Sequence, residues 1–246
     1  MGKALKTEAV VLRSFRLGEA DRVLHLYSLE RGRIGAVAKG IRKTKSRFGA
    51  RLEPLSHVEI MLHEGRSDLC TVTGVELLHS HRATREEPYR LGVGLIGAEA
   101  MLRLFGEQES NPRAFDALTR FLDLLDELPS RAPAKAVLDP LTLSFQLKLI
   151  WLAGYLPHLG SCAGCGGGPP FAGYSARAGG IVCRNCAAGS MPLSAEGFAG
   201  LEGFLHRPLA ESGTIGLDER ASRECLAVII ASYEEHGGFR LRTLSA

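Results

Sequence analysis

The chain has 246 residues, 45% apolar and 23% charged, a folded-protein composition with room for one large domain or two to three small ones. No apolar run approaches the ~20 residues that cross a bilayer. "MGKALKTEAVVLRS" shows neither a secretory leader nor, with Lys6 at the sixth position, a myristoylation pattern, so a soluble cytoplasmic protein with no membrane partner is expected.

The formal net charge of +3 is unevenly spread, with 14 Lys and Arg against 9 Asp and Glu in residues 1–80 and a slight acidic excess beyond. That asymmetry points to an anionic partner for the N-terminal part. The elements there are short. "EAVVLRSF", "ADRVLHLYSL", "RIGAVAKG", "SHVEIMLHEG" and "LCTVTGVEL" are apolar stretches separated at several points by turn-formers such as Leu17-Gly18-Glu19, Arg31-Gly32-Arg33 and Glu64-Gly65-Arg66. In the fourth stretch Val58, Ile60 and Leu62 share one face and His57, Glu59, Met61 and His63 the other, which is strand periodicity. Five such strands predict a small closed or semi-closed barrel of the oligonucleotide-binding type over residues 1–80.

Between the third and fourth strands lies "KGIRKTKSRFGAR", with Lys39, Arg42, Lys43, Lys45, Arg47 and Arg51 and no acid. The third-to-fourth connection of such a barrel usually carries a short helix, and loops held by a rigid barrel are where binding residues collect. The bland alternative is a solvated loop that keeps an edge strand soluble. Arg13, Arg16, Arg22 and Arg33 on neighbouring strands or turns favour the binding reading, and Phe48 is available to stack on a base. Only Phe15, Tyr27 and Phe48 are aromatic in this part, so the expected mode is phosphate-dominated, salt-sensitive and blind to sequence.

From Pro88 onward the period becomes helical. "PYRLGVGLIGAEAMLRLF" is a helix whose Gly92, Gly94, Gly97 and Ala98 let a neighbour approach closely; its literal match to a dinucleotide fingerprint lacks the preceding strand. "NPRAFDALTRFLDLLDELP" starts on Asn111 and Pro112, repeats Phe115, Leu118, Leu122 and Leu125 at helical spacing, and stops at Pro129. "DPLTLSFQLKLIWLAGYL" begins in the same way on Asp139 and Pro140. "SAEGFAGLEGFLH" and "DERASRECLAVIIASYEEH" are two more helices. These assignments give a helical domain over 81–160 and 191–246.

Between them, Cys162-x2-Cys165 and Cys183-x2-Cys186 are separated by 17 residues. Two residues between thiolates let both sulfurs converge on one ion at ~2.3 Å, and two such knuckles complete a tetrahedron. This predicts one structural zinc in a module over 161–190, with too few large apolar residues to fold unaided. Redox CxxC pairs would need a βαβ setting, and an iron–sulfur cluster usually groups three cysteines closely. His158 is a spare candidate ligand, while Cys70 and Cys225 read as small hydrophobes and His25, His57, His63, His79 and His81 as packing or surface residues. No P-loop, metalloprotease helix or nucleophile elbow occurs, and the acidic residues are scattered along helices, so nothing asks for an enzyme.

The order of a basic barrel and then helices interrupted by four cysteines resembles the RecO family of bacterial recombination mediators. "VVLRSFRLGEADRVLHLYSLERGRIGAVAKGIRKTKSRFGARLEPL" carries the resemblance, with the Gly18-x-x-Asp21-Arg22 turn, together with the four-cysteine pattern of the zinc-containing members. The resemblance implies a non-enzymatic, cytoplasmic, nucleoid-associated protein of homologous-recombination repair. It implies binding to single- and double-stranded DNA, annealing of complementary strands, and work with RecR and the single-stranded DNA-binding protein to load RecA on gaps. The six cations from Lys39 to Arg51 would contact DNA. An RNA-binding barrel and a protein-interaction adaptor with a structural zinc are the rival classes.

Overall fold

A computed structural model describes residues 3–43, 46, 48–65, 68–128 and 135–244. Lys45, Arg47, Arg66 and Pro129 lie outside the described residues. The chain divides into two compact units, Met1–Pro129 and Ser130–Ala246.

The first unit opens with β1 (Ala4–Leu17), β2 (Asp21–Ser28), β3 (Gly32–Ala38), β4 (His57–His63) and β5 (Cys70–His79), a closed barrel in the order β1-β2-β3-β5-β4. Alternation decides the faces. Val58, Ile60 and Leu62 of β4 point inward as expected, against Val11, Leu24, Leu26, Ile34 and Val72. Fully burying each such side chain contributes about 1.5–3 kcal/mol before the cost of ordering it. Closure rests on a short parallel seam in which Ala36 and Val37 of β3 face Cys70 and Thr71 of β5. Because β5 sits beside β3, the connection to β4 must cross the barrel end, and a 3-10 turn in it, Gly49–Leu52, stands where a short helix is expected.

Three helices complete this unit: α1 (Arg82–Glu86), α2 (Pro88–Leu104) and α3 (Pro112–Glu127). Asn111 caps α3 as predicted, its side chain accepting from the Ala114 N–H at 3.0 Å. Gly94 of α2 is a close approach, since a Cβ there would sit 2.7 Å from Leu55 Cδ1 and 3.4 Å from Thr84 Cγ2. The helices share the barrel's compact unit, packing on it through contacts such as Phe105 on Tyr27 and Phe115 on His57.

The second unit centres on α4 (Pro140–Leu152), capped by Asp139 and buried from Leu141 to Leu147. It ends earlier than its apolar run suggests. Gly154 takes φ +83°, its N–H bonds Trp151 O, and the Tyr155 N–H bonds Ile150 O, which is a glycine-closed helix terminus. Around it are α5 (Ala195–His206), α6 (Glu219–Ser232), which runs on into a π-turn at Tyr233–Gly237, and a three-stranded sheet. That sheet, β6 (Phe171–Ser175), β7 (Gly180–Cys183) and β8 (Met191–Pro192) in the order β7-β6-β8, carries the cysteines. Among the described residues no helix is long and apolar enough to cross a membrane.

Candidate nucleic-acid interface and four-cysteine centre

Strand directions bring two connections to one end of the barrel. The β1–β2 turn and the basic β3–β4 connection meet there, tied by Arg42, whose backbone N–H bonds Ala20 O at 3.0 Å. The Arg42 guanidinium donates to Glu19 O at 2.7 Å, and Asp21 Oδ1 accepts from the Gly40 N–H at 2.7 Å. Lys39, Arg42, Lys43 and Arg51 are all exposed. The structure thus gathers four of the six predicted cations at one end, one of them also bracing a turn.

Phe48 corrects an expectation. It is 1% exposed and packs with Leu52 in the barrel core, so it plugs the barrel and cannot meet a base. Tyr27 is fully buried as well. The exposed aromatic among the three is Phe15, at 43%, on the outward side of β1. Its ring meets His25 edge-on at 5.5 Å, and the Arg13 guanidinium lies 5.9 Å from its centroid. Arg13 and Arg16 are exposed beside it. Burial, with Arg13 and Arg33 nearby, holds the His25 pKa below its ordinary value against the opposing pull of Glu107.

The neighbouring arginines are not equivalent. Arg33 donates to Leu102 O at 2.5 Å and to Glu107 at 3.2 Å, so it holds the end of α2. Arg22 donates to Ser14 Oγ at 3.2 Å and lies 3.6 Å from Glu53. Both are largely committed within the fold. Sequence counts cations, and only the fold shows where their acceptors are.

The four cysteines converge as their spacing requires. All four sulfurs lie within 4.8 Å of one another. Cys165 and Cys183 sulfurs are 3.8 Å apart, which is the edge of a tetrahedron with metal–sulfur bonds of ~2.3 Å. Cys162 is buried, and the Cys183 backbone N–H, which donates to its sulfur at 3.3 Å, is the first cause of a thiol pKa lowered to about 6. The sulfurs of Cys162, Cys165 and Cys183 push Cys186 the other way. Four cysteine sulfurs this close can converge on one cation and lose their protons to it, so the donor set fits a four-coordinate, thiophilic metal. Gly164 admits the cluster, since a Cβ there would stand 3.0 Å from Cys186 Sγ. His158 stays outside it, bonded to Ser161 Oγ at 2.7 Å.

The cysteine sheet is better anchored than its composition suggests. Tyr174, Ile181 and Val182 are buried, and Tyr174 shares a hydrogen bond of 3.0 Å with Ser232 on α6. Phe171 meets Phe198 of α5 at 5.2 Å. The second unit's helices therefore supply the core that the cysteine segment lacks.

Residues 1–81 match the family described as Recombination protein O N terminal, and residues 85–245 match Recombination protein O C terminal. The chain is similar to a DNA repair protein RecO of Rubrobacter xylanophilus, 39% identical over 233 residues, which covers 92% of this chain and 91% of that one. It is 36% identical over 238 residues to a DNA repair protein RecO of Thermobifida fusca, covering 94% and 93%. A third, from Cutibacterium acnes, is 38% identical over 188 residues, covering 74% and 73%. A five-stranded barrel followed by helices, matched across both halves by the two family models, makes this chain a member of the RecO family of recombination proteins.

Proposed function

We propose that this protein is a non-enzymatic mediator of recombination repair that binds single- and double-stranded DNA without sequence preference. It anneals complementary strands and, with RecR, helps load RecA on gaps coated by the single-stranded DNA-binding protein. The supporting observation is the exposed cationic end of the barrel, where Lys39, Arg42, Lys43 and Arg51 lie on the connection, together with exposed Arg13, Arg16 and Phe15 along β1. Lys45 and Arg47 join this DNA-contacting set on their sequence position. Annealing requires no bond chemistry. Two strands repel through their phosphates, and a face that neutralises several of them lowers that barrier, with counterion release driving the binding. The exposed Phe15 ring offers a stacking platform that any base can use. Residues 1–80 would be the DNA-binding domain, and 81–160 with 191–246 the partner-facing helical domain. Module 161–190 would be held by one zinc on Cys162, Cys165, Cys183 and Cys186, a closed set of four ligands that serves structure.

A Lys39→Glu/Lys43→Glu double variant tests this reading, because neither side chain braces the fold as Arg42 does. Binding to a labelled single strand should fall at least tenfold. Its salt dependence should become shallower by ~1.4 in log–log slope, two contacts at ~0.7 each. Annealing should fall in parallel while the thermal melt stays put. An unchanged salt slope would sink the residue assignment.

A further inference from the structure

A second group of metal-ligand atoms lies in the first unit, and the proposed DNA-binding role makes no use of it. His79 at the end of β5, His81 just beyond it and Asp123 on α3 bring their nitrogen and carboxylate atoms within 4.8 Å of one another. Asp123 Oδ1 is 2.8 Å from His79 Nδ1 and 3.0 Å from His81 Nε2. The outer nitrogen of each ring also faces an acceptor. His81 Nδ1 is 2.7 Å from Leu55 O, and His79 Nε2 is 3.8 Å from Asp126 Oδ2. Asp126 is itself fixed, accepting from the Thr84 N–H at 2.6 Å.

Tautomer accounting follows. Leu55 O can only accept, so His81 Nδ1 carries a proton. A neutral His81 then presents its Nε2 lone pair to a carboxylate oxygen 3.0 Å away, and its own side chain is 0% exposed, so solvent does not reach the ring. Something positive must sit between them. A proton would make a buried imidazolium; a metal ion would also explain the rest of the arrangement. Metal-bound imidazoles are held by an acceptor on the outer nitrogen, and both rings face one here. Two ligands at ~2.1 Å from a tetrahedral ion stand about 3.4 Å apart, roughly half an ångström beyond the spacings seen. The backbone is also committed at this point, since Leu55 and His81 both take left-handed conformations, with φ of 68° and 45°.

We propose that His79 Nδ1, His81 Nε2 and Asp123 Oδ1 bind a divalent transition metal of the zinc class, tying the end of β5 to α3. The donor set is two imidazoles and one carboxylate, which suits zinc better than magnesium or calcium. His79, 41% exposed, marks the side from which water completes the coordination. The site is distinct in chemistry from the four thiolates: it is harder, open at one position and predicted to exchange faster.

The full-length protein with its cysteine-bound zinc in place, briefly treated with chelator to strip weaker metal, would be titrated calorimetrically with zinc chloride at neutral pH. One further equivalent should bind. His79→Gln and Asp123→Asn should keep the cysteine-bound zinc and the circular dichroism spectrum but lose that equivalent, and Asp126→Asn should weaken it about tenfold. Cadmium NMR of the unmutated protein needs no variant: with two equivalents it should give one resonance typical of thiolate ligation and a second typical of nitrogen and oxygen ligation. Absence of a second equivalent, its survival in His79→Gln, or a thiolate resonance alone would overturn the proposal and leave a buried proton in the metal's place.

Discussion

The barrel and the cysteine sheet are both small β structures, held by different means. The barrel closes its hydrogen-bond ladder and fills its interior with side chains such as Leu24, Leu26, Ile60 and Phe48. The sheet has strands of five, four and two residues, docks through Tyr174, and brings four thiols together. One is a scaffold whose stability comes from hydrocarbon, so exposed cations such as Lys39 and Lys43 can serve a ligand. The other uses its most reactive side chains to hold itself, which leaves it little chemistry to offer.

The largest expected effect would break the cysteine side of this contrast. If the four cysteines hold a metal as proposed, stripping it would remove a binding free energy that reaches about 10–16 kcal/mol in small zinc modules. Hydrogen exchange should then show β6–β8 losing protection while β1–β5 keep theirs and DNA binding persists. Loss of protection in the barrel would show that the two are not separately held. On the barrel side, Phe48→Ala should cost about 3–5 kcal/mol of stability. Phe15→Ala should change stability by less than ~0.5 kcal/mol yet weaken single-strand binding by ~1–3 kcal/mol. Denaturant melts beside a binding series separate the two outcomes, and equal effects on stability would refute the division of roles.

The smallest effect concerns pH. The folded-state pKa of His25 is depressed, so its neutral form favours the fold, and that contribution fades as pH falls from about 6.5 through the folded value. Protonation there adds a positive charge beside Arg13 and Phe15. Acidification should therefore tighten DNA binding slightly while lowering the melting temperature, and His25→Gln should flatten both trends.

Local patterns made much of this legible. The alternation of Val58, Ile60 and Leu62, the Asn111-Pro112 and Asp139-Pro140 helix starts, and the cysteine spacing all express interactions between near neighbours in the chain. What escaped depends on distant partners or on brevity. Phe48 sits in a loop without periodicity, and only the crossing over the barrel end turns it inward. Arg33 became a structural residue because Leu102 O lies 69 positions away in sequence and 2.5 Å away in space. His79 and Asp123 are 44 positions apart, so no spacing rule could pair them. The five-residue α1 and two-residue β8 are too short to leave a pattern.

The strand order also sets an engineering constraint. With β5 between β3 and β4, the connection from Lys39 to Ser56 must arch over a neighbour and set Phe48 and Leu52 into the opening. Its length is therefore dictated by architecture, whereas the identity of its outward residues is not. Deletions within it would pull the plug or open the seam between β3 and β5, whereas swaps at Lys39 and Lys43, which do not brace the β1–β2 turn as Arg42 does, would leave the scaffold untouched. That segment is a place where affinity for a polyanion can be dialled up or down by substitution alone, with the fold as a fixed background.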